Sequence, residues 1–131
     1  MEKEFVPYEL ALRMKQLGFD EPCFAYYDMA QEFNFPGCTM HNRNFINLKA
    51  TMTSLYQQAF RWFREKYFYI SYVCAPYKEY DEFYFRIRYI GDVLNEGQLE
   101  SCESQVYKTY EEAELACLEK LIEIVESKKE K

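Results

Sequence analysis

Glycine and proline are scarce in this chain of 131 residues, four of each, and it carries one histidine and one tryptophan. Each scarcity removes a class of chemistry. The glycines fall into no GxGxxG or Walker pattern, so no loop is built to cradle a phosphate with backbone amides. Cys38 and His41 form a Cys-x-x-His pair, but a zinc site needs two further ligands. Cys23, Cys74, Cys102 and Cys117 supply no second close pair. No metal or cofactor is expected. A Cys–His nucleophile pair would have to use His41, and no cysteine stands in a recognisable nucleophile context.

Basic excess is also missing. Sixteen Lys and Arg against 22 Asp and Glu leave a net charge of −6, which disfavours nucleic acid, because nonspecific affinity comes from cations displacing counterions from phosphate. No apolar run approaches the ~18 residues that span a bilayer. The opening Met1-Glu2-Lys3-Glu4 has neither the basic nor the apolar region of a signal peptide. With an odd number of scattered cysteines, a reduced cytoplasmic setting and no membrane partner are expected.

Aromatic residues, by contrast, make up 19 % of the chain, with 13 Tyr and 11 Phe. Rings that each bury on the order of 150–250 Å² argue for a packed domain rather than disorder. At this length one domain is expected over residues 1–131, with a frayed tail at 127–131.

Periodicity places three helices. Pro7 opens the first, whose Leu10, Met14 and Leu17 share a side. Gly18 supplies the left-handed residue past its end, and Phe19 folds back on the last turn. The second runs from about Thr53 to Tyr67, with Leu55, Ala59, Trp62 and Phe63 on one side and Gln57, Arg61 and Arg64 opposite. Thr109-Tyr110-Glu111-Glu112 has capping-box spacing for the third, whose apolar side is Cys117, Leu118, Leu121, Ile122 and Val125.

Strands are expected at Cys23–Tyr27, Phe68–Val73, where Pro76 ends the run, and Phe83–Ile90. Between Asp28 and Asn44 the signal fades into a loop or a long hairpin tip with aromatic contacts; Phe45–Leu48 reads as a returning strand and Gly91–Ser104 as a loop. The order α-β-β-α-β-β-α predicts an α+β fold, a mainly antiparallel sheet of about four strands with helices on one face. Ala11-Leu12-Arg13-Met14 and Ala59-Phe60-Arg61-Trp62 hint at an internal repeat.

Three segments together, FVPYELALRMKQLGFDEPC over Phe5–Cys23, QAFRWFREKY over Gln58–Tyr67 and TYEEAELACLEKLIEIV over Thr109–Val125, resemble a family of small, functionally unassigned proteins of gut Bacteroidota, their mobile elements and their phages. The resemblance implies a bacterial or phage-infected cytosol and carries over no functional residue.

Alternation of Phe83–Ile90 puts Phe83, Phe85, Ile87 and Tyr89 on one face and Tyr84, Arg86, Arg88 and Ile90 on the other. With Trp62 and Phe63, Phe85 and Ile87 are expected inside. Tyr84, Arg86 and Arg88, with Arg61 and Arg64 nearby in sequence, form the candidate binding surface, since arginine forks recognise carboxylates and phosphates bidentately. The competing reading pairs these arginines with Glu119, Glu123 and Glu126 of the last helix. Glu79, Asp81, Glu82 and Asp92 flank the third and fourth strands, where a pair of carboxylates would serve acid–base work; the competing reading is a solvated acidic turn. A double-stranded-RNA-binding reading fails on Glu111, Glu112 and Glu114, which would repel duplex phosphate at the last helix.

The expectation is a non-enzymatic binding or interaction protein, phage- or mobile-element-encoded. Its partner is a protein or a small anionic ligand, self-association included. A small hydrolase or nucleotide-handling enzyme, and a minor virion protein, are the alternatives.

Overall fold

The computed structural model describes residues 2–36, 38–45, 50–75, 82–91 and 101–129. The fold is α+β: three helices and six strands in two antiparallel sheets of three. Helix α1 is Tyr8–Gln16, strands β1, β2 and β3 are Ala25–Tyr27, Phe33–Asn34 and Thr51–Thr53, and α2 is Tyr56–Tyr67. Strands β4, β5 and β6 then run Tyr69–Cys74, Tyr84–Tyr89 and Ser101–Glu103, and α3 is Tyr110–Lys129. The strands therefore divide into two sheets instead of forming one sheet of about four. The chain divides likewise into two compact units, Met1–Ala59 and Phe60–Lys131.

In the first unit α1 stops as its sequence predicts. Gly18 has φ 100°, its N–H donates to Lys15 O, and Phe19 N–H donates to Met14 O. That is the paired hydrogen bonding of a Schellman motif, with Phe19 buried as its apolar contact. Pro7 sits at the cap position rather than inside the helix. The sheet runs β2-β1-β3, with Tyr27 opposite both Phe33 and Thr51.

The stretch that carries little sequence signal is held by side chains acting on backbone. Asp28 accepts from Ala30 N, Glu32 N and Asn34 Nδ2 at 2.9, 3.0 and 3.2 Å. These bonds close the β1–β2 hairpin and hold the Asp28 carboxyl below its ordinary value, the Glu32 backbone bond contributing most. Phe33 packs at 5.3 Å from Phe5 and 5.9 Å from Tyr27. A 3-10 turn occupies Asn42–Phe45, where the sequence places the start of a returning strand; residues 46–48 lie outside the described residues, and the strand that does return is β3. Asn42 explains the turn. It is buried, donates to Phe19 O at 2.7 Å and accepts from Met52 N at 2.9 Å, so one side chain ties the end of α1 to β3.

In the second unit the sheet is a meander, β4-β5-β6. Its order differs from β2-β1-β3, so the two sheets are not copies in topology. Tyr69 faces Tyr89, Ser71 faces Ile87, and Val73 faces Phe85. This face meets α3, which packs on β4 and β5 through Ala113, Cys117, Leu118, Leu121, Ile122 and Val125, all buried. Thr109 caps α3 as its spacing predicts, accepting from Glu112 N at 3.1 Å. The helix runs to Lys129, and the Lys128 ammonium lies 5.2 and 5.0 Å from the Tyr69 and Tyr89 ring centroids. Trp62 and Phe63 are buried on α2, with ring centroids 4.9 Å apart.

Candidate functional site

The other face of the β4-β5-β6 sheet gathers the candidate residues. Because β5 alternates, Phe85 and Ile87 go under α3 while Tyr84, Arg86 and Arg88 go to the opposite side. Register then fixes their neighbours. Ile70 lies opposite Arg88, Tyr72 opposite Arg86, and Cys74 opposite Tyr84. On the far side Glu103 lies opposite Arg86 and Ser101 opposite Arg88.

Arg86 is the centre of this face. Its Nε donates to Glu103 Oε2 at 3.0 Å, and its guanidinium carbon lies 5.7 Å from the Tyr84 ring centroid, within cation–π range. The Tyr72 hydroxyl, followed by the Glu103 carboxylate, raises the Arg86 pKa above its ordinary value. Tyr84 is raised as well, first by its hydrogen bond with Cys74, against the pull of Arg86. Arg88 is exposed and makes no ion pair among the described residues.

The face is open to water. Tyr72 is 46 % exposed and Ile90 43 %, and Phe68 at the same end of the sheet is 49 % exposed. Phe68 also has φ 64°, a conformation that bulky residues rarely adopt. It stands where a helix-ending glycine is usual, its N–H donating to Arg64 O at 3.1 Å while its carbonyl accepts from Ile90 N at 2.8 Å.

Of the five candidate residues, the structure thus brings Tyr84, Arg86 and Arg88 together. Arg61 and Arg64 are exposed on α2, and no hydrogen bond or ion pair among the described residues joins them to this face. Arg86 pairs with Glu103 and not with the α3 glutamates, because α3 lies against the Phe85–Ile87 side. Tyr72 and Glu103 are members of the cluster that sequence reasoning passed over. Alternation of β4 would have found Tyr72, which shares a side with Ile70 and Cys74; Glu103 sits in a three-residue strand too short to show a period.

Of the acidic candidates only Glu82 is described, and it is exposed; Glu79, Asp81 and Asp92 lie outside the described residues. Among the described residues no group of three or more His, Cys, Asp or Glu side chains could hold a metal ion, and Cys38 is exposed. Burial pushes the Cys23 and Cys117 thiols up to about 12, opposite to what a nucleophile needs. No described helix is long and apolar enough to cross a membrane. No protein-family model, curated protein or solved structure matches this chain.

Proposed function

We propose that the protein is a non-enzymatic binding protein that engages a partner through the Tyr72–Tyr84–Arg86–Arg88 face of the β4-β5-β6 sheet. One observation carries this reading. A sheet whose other face is closed by α3 leaves on this one two arginines, two tyrosines and exposed Ile90, with Arg88 in no ion pair among the described residues. Aromatic and arginine side chains dominate the energetics of protein interfaces, because they offer large contact area and directional hydrogen bonds. An exposed Phe68 in a left-handed conformation adds to it, since strained backbone gathers at functional positions.

The cellular setting we propose is the cytosol of a bacterium or of a phage-infected bacterium. It rests on the family resemblance of the Phe5–Cys23, Gln58–Tyr67 and Thr109–Val125 segments.

The test compares immobilised wild type with an Arg86→Ala/Arg88→Ala variant, using lysate of a gut Bacteroidota strain and quantitative mass spectrometry. The reading expects a defined set of proteins held by the wild type and lost by the variant, at equal melting midpoints. Identical sets, or a variant that fails to fold, would count against it.

A further inference from the structure

The Arg86–Glu103 pair bears on what this face would bind. Glu103 Oε2 meets Arg86 at its Nε, 3.0 Å away. The two side chains are 48 % and 56 % exposed, so water and competing anions have access to the pair, and exposed pairs of this kind are weak. Arg88 lies two residues further along the same strand, with Ile70 and Ser101 opposite and no carboxylate in register. Successive residues on one face of a strand are about 6.8 Å apart. An extended segment with carboxylates at alternate positions repeats that spacing. The charge count points the same way. The three charged residues in register among the described ones, Arg86, Arg88 and Glu103, sum to +1 on a chain of net −6.

We infer that this face takes an extended, carboxylate-bearing segment of a partner protein, with acidic residues at alternate positions, and that Glu103 occupies Arg86 as a built-in competitor until the segment displaces it. This rests on the binding reading above and names its ligand chemistry. In the bound state one partner carboxylate replaces Glu103 at Arg86 and the next reaches Arg88. Tyr72 and Tyr84 flank the segment, and the uncovered Glu103 returns to water.

The probe is a fluorescein-labelled Glu-Thr-Glu-Thr-Glu-Thr peptide titrated at low salt, followed by anisotropy, with the Gln-for-Glu peptide as control. Arg88→Ala should weaken binding about ten-fold, the worth of a charge-assisted hydrogen bond. Glu103→Gln should tighten it between about two- and five-fold, the worth of one exposed ion pair. Both variants should keep the wild-type melting curve. An unchanged or weaker affinity in Glu103→Gln overturns the competitor role. Displacement of the peptide by an equal concentration of inorganic phosphate overturns the carboxylate assignment. Concentration-dependent dimers in light scattering, lost in Arg88→Ala, would make the occupant a second copy and overturn a foreign partner. If the peptide does not bind while Arg86 and Arg88 still govern which lysate proteins are held, only the carboxylate inference fails. If neither depends on these arginines, the binding reading fails with it.

Discussion

The two sheets each have three strands and are antiparallel alike, yet they are covered differently. In β2-β1-β3 the strand β3 is closed on both sides: Thr51, Met52 and Thr53 are each 1 % exposed. Its polar groups are consumed internally. Thr53 Oγ1 and the Tyr27 hydroxyl both donate to Val6 O, and Met52 N donates to Asn42. In β4-β5-β6 the strand β5 is buried only at Phe85 and Ile87, and Arg86 and Arg88 between and beyond them are exposed. A strand enclosed on both faces spends its side chains on stability. A sheet covered on one face has side chains left over for a partner.

That contrast can be broken most sharply within β5. Ile87→Ala removes a side chain 1 % exposed and should cost about 2–5 kcal/mol in urea denaturation, whereas Arg88→Ala next to it should leave the midpoint where it was. Equal effects would erase the distinction between the two faces. Beside the enclosed strand β3, Asn42→Ala removes the amide that accepts from Met52 N and donates to Phe19 O and should cost about 1–3 kcal/mol. A neutral result would mean water replaces the amide and the enclosure is looser than described. Thr109→Ala should cost about 1 kcal/mol through its lost α3 cap, with helicity by circular dichroism falling first at that end.

A further effect is in pH. Cys23 and Cys117 are raised from 9.0 to about 12 by burial. Both titrate in the unfolded chain before the folded one, so the stability they hold is complete below pH 9 and declines as pH rises toward 12. A denaturation midpoint that rises across this window would contradict the burial of both thiols. At pH 8, a thiol reagent should label exposed Cys38 first and reach Cys23 and Cys117 only on unfolding.

Legibility in the sequence followed the same division. The ends of α1 and α3 were plain, because Gly18 and Thr109 act on backbone within a few residues. The faces of β5 were plain too, since six alternating residues announce which side is which. Strands β2, β3 and β6, of two or three residues, carry no period that could be read. Asp28 orders the β1–β2 turn locally, but what ties the segment's far end is long-range: Asn42 bonds to partners 23 and 10 residues away. The candidate site was legible for Tyr84, Arg86 and Arg88, which one strand supplies. Tyr72 and Glu103 join it only through cross-strand register, and Arg61 and Arg64, close in sequence, make no hydrogen bond or ion pair with it among the described residues.

The central claim is that one face of one sheet is the working surface, and amide shift mapping tests it most directly. On titration of the isotope-labelled protein with the alternating-glutamate peptide, perturbations should fall on Tyr69–Cys74, Tyr84–Ile90 and Ser101–Glu103, and residues 2–36 should stay still. Shifts centred on β1 and β3, or none on β5 at saturating peptide, would contradict the account.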